Sequence, residues 1–318
     1  MIALFLAVCC TVAIGMIFKH AGRQGMDRTA LLTVNYAAAV SVAGMLMAVG
    51  GRSAQAGLTF DPGLAVLAVV TGALLIFGFF ILSVATDEAG MALAIGVMRV
   101  AVVIPFVASW LVWNEVPTPA QGVGLVLAGA AFFMIAWRQR AQPAPAPELT
   151  AAPASVPGTA GAAPPVPEPP ETPSANLRVL GILAVLFVSG GAVDVSMKAF
   201  EEGFGATNSR VLFLLLAFGV AFLIGLVVVL WNGWRKGDWP APTTIRWGIG
   251  LGVINYGSLE FILRAIEQLP GTFVFPVNNI AIVILAALVG VYWWGEHLSR
   301  INRMGIGVAA VALLLLNL

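Results

Sequence analysis

One arginine, Arg99, lies about ten residues into an apolar stretch that runs from about residue 89 to 112. A permanent charge at membrane depth costs several kcal/mol, so it normally faces the interior of a helix bundle. The guanidinium fork can hold a carboxylate or phosphate bidentately. Two roles suit it: contact with an anionic substrate, or an internal salt bridge to a carboxylate such as Glu88 or Glu260. Both hold if substrate displaces the partner. Asn278 and Asn279 occupy the equivalent depth of a later stretch, 271–293, just after Pro276. Pro276 removes a backbone donor there, and Pro105 does the same beyond Arg99. Broken helices at corresponding places in two halves point to a transport site. The alternative for the asparagines is interhelical hydrogen bonding.

Glu260 and Arg264 are four residues apart, share a helix face and can pair. A carboxylate at that depth suits proton coupling, or the pair closes one side as a structural bridge. Asn255 and Tyr256 lie about a turn earlier and would line the same cavity. Asp194 and Lys198 repeat the four-residue spacing, with Asp194 deeper; Lys198, like Lys19, is expected to snorkel toward the headgroups. Asp87 and Glu88 read as the cap of the next helix, with gating as the functional alternative for Glu88. Glu115 and Glu296 read as charges at helix N-termini. Asn35 and Tyr36 read as packing. His20 and His297 fall at span ends and make no triad or metal set. Cys9 and Cys10 are adjacent, have no metal-ligand spacing and read as small core residues. No phosphate-binding glycine loop and no nucleophile elbow is present, so no cofactor, metal or catalytic residue is expected.

The elements that must position these groups follow from composition. Hydrophobic residues make up 60% of the 318 residues and charged residues 10%, against about 25% charged in a soluble domain. Apolar segments of membrane-spanning length recur. They fall at about 2–18, 30–49, 64–84, 89–112 and 119–137, and again at about 178–197, 209–231, 245–265, 271–293 and 303–317. Between the two sets, 138–176 turns into Pro, Ala, Glu, Thr and Gly. That composition cannot bury enough apolar surface to order itself, and it reads as a disordered polyproline-rich linker. Trp110/Trp113, Trp231/Trp234 and Trp293/Trp294 sit at span ends as interfacial anchors.

The halves resemble each other. Phe18-Lys19 and Met197-Lys198 each end a first span, and each is followed by a polar loop with a glycine. Trp113-Asn114-Glu115 and Trp294-Gly295-Glu296 each precede a last span rich in glycine. An odd number of spans per half forces opposite orientations. The expected fold is an all-α polytopic membrane protein of about ten transmembrane helices, as two inverted five-helix repeats, 1–137 and 177–318. Lysine and arginine crowd one face (Lys19, Arg23, Arg28, Arg138, Arg140, Arg178, Arg235, Lys236, Arg246, Arg300, Arg303) over the other (Arg52, Lys198, Arg210, Arg264). That bias places the linker in the cytoplasm and both termini outside the cell membrane.

Two five-span halves, each closing with a Trp-x-Glu turn and a glycine-rich last span, resemble the EamA-type members of the drug/metabolite transporter superfamily. The resemblance covers nearly everything but the linker. It implies a ten-helix carrier whose central pocket is formed mainly by the first, third and fourth helices of each half, with the last helices peripheral. Known members move metabolites such as amino acids. This chain departs in its longer linker, and its charge bias puts the termini opposite to the cytoplasmic placement described for well-known members.

The expected function is secondary transport of a small polar or amphipathic metabolite by alternating access, driven by protons, by exchange, or by the solute's own gradient. Arg99, Asn278, Asn279, Glu260, Asn255, Tyr256 and Asp194 are the candidate substrate contacts. Glu260, Arg264, Glu88 and Lys198 are the candidate gating or coupling groups. The partners implied are a small-molecule substrate and the lipid bilayer, with no nucleic acid, in a monomer or homodimer. The rival readings are a non-transporting scaffold or accessory subunit, in which Arg99 and Glu260 pair only with each other, and an intramembrane enzyme on lipid-linked substrates.

Overall fold

Helix signals in the sequence are met by helices in the structure, a computed structural model that describes residues 1–49, 61–89, 91–136, 177–237, 239–294 and 300–316. The described elements are α1 (Ile2–Arg23), α2 (Arg28–Val49), α3 (Pro62–Ala89), α4 (Met91–Val100), α5 (Val103–Trp113), α6 (Pro119–Ala136), α7 (Leu177–Phe204), α8 (Arg210–Lys236), α9 (Pro242–Gln268), α10 (Gly271–Trp294) and α11 (Arg300–Leu316). The linker expected at 138–176, Arg52, Glu296 and His297 lie outside the described residues.

Local chemistry sets the boundaries. Pro62, Pro119 and Pro242 open α3, α6 and α9, where a missing N–H costs nothing. Asp27 Oδ1 accepts from Thr29 N at 2.8 Å and Asp61 Oδ1 from Gly63 N at 2.7 Å, capping α2 and α3. Thr118 and Gln121 exchange backbone-to-side-chain bonds at 3.1 and 3.2 Å, a capping box for α6.

The expected fourth span is not one helix. It breaks at Ala101 and Val102 into α4 and α5. Pro105 has no N–H to offer the Ala101 carbonyl. Ile104 N takes that carbonyl at 2.9 Å and Val102 N reaches Arg99 O at 3.4 Å, so the chain tightens for one turn before restarting. Pro276, by contrast, lies inside an unbroken α10.

Among the described residues, seven helices are long and apolar enough to cross a membrane: α1, α2, α3 (Pro62–Thr86), α7, α8 (Arg210–Arg235), α9 and α10 (Gly271–Trp293). Shorter apolar stretches, Val97–Trp113, Pro119–Ala131 and Arg303–Leu316, stand where the fourth, fifth and tenth spans are expected. No strand occurs among the described residues. Large apolar side chains such as Val66, Phe80, Leu223, Val227 and Val126 are exposed along the helices. Trp110, Trp231, Trp234 and Trp293 are exposed near helix ends, Trp231 under the Arg235 guanidinium. An apolar surface around internally hydrogen-bonded helices is the build of an all-α membrane protein.

Helices from before and after residues 138–176 pack on one another. α2 packs on α8 and α9, and α3 packs on α8 and α7. α1 packs on α9 and α10, while α7 packs on α3 and on α4 and α5. α5 meets α10, and α6 lies against α11. Two glycines let backbones close on each other. A Cβ on Gly72 of α3 would strike the Ala217 carbonyl and Val220 of α8. A Cβ on Gly252 of α9 would strike the Asn35 carbonyl and Ala38 of α2. Small residues at membrane-helix crossings permit this approach. The core between them is aromatic and aliphatic, with Tyr36, Phe218 and Phe200 fully buried.

Candidate functional site

The polar residues singled out in the sequence separate into two regions. The first lies where α4 and α10 each carry a polar side chain about two turns from the helix start, and the two side chains meet. Arg99 lies roughly 12 Å from the start of α4, and Asn279 roughly 12 Å from the start of α10, at 1.5 Å per helical residue. Arg99 Nη1 donates to Asn279 Oδ1 at 3.3 Å. Asn279 Nδ2 donates to its own helix at Phe275 O, 3.0 Å away, which turns the amide oxygen toward the guanidinium. Arg99 therefore has neither of the anticipated partners. Glu88 and Glu260 are both engaged elsewhere, and its one hydrogen bond among the described residues goes to a neutral amide. The acidic charge that acts on it is Asp194 of α7. Asn278 Oδ1, next door, is buried without a hydrogen-bond partner.

Beside Arg99 lies a cavity of about 40 Å³. It is lined by Arg99, Asn279 and apolar side chains from α5, α6, α10 and α11. A water occupies about 30 Å³ in the liquid, and metabolite sites run to several hundred. The space directly beside the guanidinium therefore takes no more than a small head group.

The second region lies at the end of the bundle where α7 and α9 finish and α8 and α10 begin. Glu260, almost fully buried, accepts from Arg264 Nε at 2.7 Å, the pairing that the four-residue spacing predicts. Arg210, the first residue of α8, reaches Glu267 Oε2 at 2.7 Å, Glu201 Oε1 at 3.8 Å and Glu260 Oε1 at 3.9 Å. A cation at a helix N-terminus opposes the helix dipole, so Arg210 needs this acidic company. That mismatch was the available signal for residues the sequence reading missed: Arg210, Glu201 and Glu267.

Lys198 does not snorkel. It is 1% exposed and donates to Glu115 Oε1 and, at 2.6 Å, to Glu202 Oε1. Its four-residue partner is thus Glu202 ahead of it and not Asp194 behind it. Burying an ammonium is tolerable only with such pairing. Glu115 is delivered by local geometry. Asn114 takes a left-handed conformation, φ 54°, and Glu115 N bonds Ser109 O at 3.1 Å, which ends α5. Glu115 Oε2 then accepts from Thr272 N at 3.1 Å. Glu115 is a helix N-terminal charge as expected, but for α10, and not for α6 which follows it.

The remaining candidates fall apart from these clusters or at their edges. Glu88 lies in the last turn of α3 rather than at the head of the next helix, and pairs with the exposed Arg178 at 3.0 Å. That pair is at the opposite end of α7 from Lys198. Tyr256 is buried in the charge field of Glu260, Arg264 and Arg210, its hydroxyl unpartnered, with its ring 6.3 Å from Phe218. Asn255 is half-buried on α9. Among the described residues no three His, Cys, Asp or Glu side chains come together as a metal set.

No protein-family profile matches the sequence. An uncharacterized protein of Haemophilus influenzae is 24% identical over 310 residues, covering 95% of this chain and 93% of that protein. A crystal structure described only as that of a protein matches with a TM-score of 0.69 over 99% of this chain and 95% of its own, at 13% identity. The helix arrangement is therefore one that a solved protein shares, and at that identity the likeness speaks for the fold alone.

Proposed function

We propose that the chain is a secondary carrier of the EamA type, moving a small polar or amphipathic metabolite across a cell membrane by alternating access. The observation that carries this reading is the Arg99–Asn279 contact. It is a guanidinium held by one neutral amide, among apolar helices of membrane length, next to a break between α4 and α5. Charged groups at that depth mark substrate or ion paths, and discontinuous helices accompany transport sites.

Two further observations favour inverted repeats. Exchanging α1, α2, α3, α4/α5 and α6 for α7, α8, α9, α10 and α11 carries most of the packing partners onto one another. The two close glycines obey the same exchange, Gly72 on Ala217 and Val220 answering Gly252 on Asn35 and Ala38. On this reading the halves rock about the middle. The ion network around Glu260, Lys198 and Arg210 closes one face, and the lysine and arginine bias puts that face outside. Glu260, paired with Arg264 and with one carboxylate oxygen buried and unpartnered, is the candidate gating group of that face.

The test is uptake of a metabolite panel into proteoliposomes by the full chain and by Arg99→Gln. Saturable uptake by the former and its loss in the latter supports the carrier. No saturable uptake of any class, with Arg99→Gln differing only in stability, moves the reading to a scaffold or accessory subunit.

A further inference from the structure

The wall around Arg99 has a chemistry that narrows the substrate, if the carrier reading above holds. Arg99 uses one of its five donors on Asn279. The rest of the lining is apolar, including Val103, Leu125, Ala128 and Val283. Asp194 acts on Arg99 electrostatically but is not among the lining residues. No carboxylate therefore faces the cavity among the described residues. The cavity continues outward: Val103 is exposed, and a Cβ on Gly129 would meet nothing within 4 Å.

A neutral ligand would leave the guanidinium with no opposite charge nearer than Asp194, which does not line the cavity. A zwitterion or cation would bring an ammonium to a wall with nothing to receive it, and an unpaired buried charge is costly. A carboxylate would take the spare donors bidentately, and an apolar body would lie on the valine, leucine and alanine side chains of α5, α6 and α10. We infer that the ligand of this site is an apolar monocarboxylate, bound head-first on Arg99 with its body toward Gly129.

The experiment measures binding to the purified full chain, by thermal shift and by equilibrium dialysis. Hexanoate, 6-aminohexanoate and 1-hexanol are the probes: one body with an anionic, a zwitterionic and a neutral form. Hexanoate should bind saturably, and the other two at least about tenfold more weakly, the least that a lost charge-assisted bond predicts. Arg99→Gln should weaken hexanoate at least about tenfold by the same reasoning. Gly129→Leu should weaken it comparably with the guanidinium intact, because its side chain fills open space. Replacing a helical glycine with leucine also favours the helix, so this variant keeps the test meaningful even if Arg99→Gln fails to fold. Hexanoate binding that is absent, unchanged in both variants, or weaker than that of 6-aminohexanoate overturns the inference. Uptake of some other solute class with hexanoate silent sinks the substrate class and leaves the carrier. Hexanoate binding lost in both variants, with no solute moved, sinks the carrier and leaves the site.

Discussion

The end of the bundle around Lys198 and the middle around Arg99 are both charged, but they are built on opposite terms. At the end, cations meet acids: Lys198 with Glu115 and Glu202, Arg264 with Glu260, and Arg210 with Glu267, Glu201 and Glu260. In the middle, Arg99 meets an amide and the more distant Asp194. Helix ends bring many polar residues to one level, so charges there can be satisfied within the fold. A mid-membrane position receives only what neighbouring helices carry at that depth. On the carrier proposal, the end network is structure that can open and Arg99 is a group kept for a ligand.

Breaking the end should hurt the fold most. Lys198→Met strips the part-buried Glu115 and the more exposed Glu202 of a fully buried cation, and removing one partner of a buried pair costs about 3–5 kcal/mol. A detergent melt against the unaltered chain measures it, and a loss under about 1 kcal/mol would mean the pairing is solvated and ordinary. Next comes the packing that frames both regions. Gly72→Ala and Gly252→Ala each push a methyl into a facing carbonyl and should each cost about 1–3 kcal/mol. Their equality in the same melts would support the inverted repeat proposed for the halves, and a cost at one glycine only would weaken it.

Arg99→Gln should lower stability by no more than about 3 kcal/mol, the upper worth of one hydrogen bond from a charged donor, while abolishing ligand-induced stabilisation. That stabilisation would reach about 2.7 kcal/mol at one hundred times Kd in the unaltered chain. A large stability loss at Arg99 would make the middle resemble the end. The smallest effect belongs to Glu88→Gln: its partner Arg178 is mostly exposed, and such pairs contribute at most about 1 kcal/mol. A larger loss there would show a third load on the opposite face.

How much of this could be read from the sequence depends on how far apart the partners lie along the chain. The Glu260–Arg264 pair is legible because helical spacing alone dictates it. Arg99 and Asn279, placed at equivalent depths from apolar pattern and proline position, do touch, although they are 180 residues apart. The helix break is half legible: Pro105 foretells lost hydrogen bonding, but Pro276 does the same in α10 without breaking it, because neighbouring packing decides the outcome. The Lys198–Glu115 and Glu115–Thr272 contacts, across 83 and 157 residues, have no local signature. Periodicity assigns a residue to a face of its own helix, and only the packing of the other helices says what stands opposite.

The most direct measurement is sided labelling of Asn278→Cys, with Cys9 and Cys10 replaced by alanine, using a membrane-impermeant maleimide on oriented vesicles. Alternating access with the ionic end closed predicts labelling only from the face opposite the Lys198 network. It also predicts that Glu260→Gln, which loosens that network, admits reagent from the ionic face. Equal labelling from both faces in the otherwise unaltered chain, or none from either with or without Glu260→Gln, would contradict a carrier whose middle is reached from one side at a time.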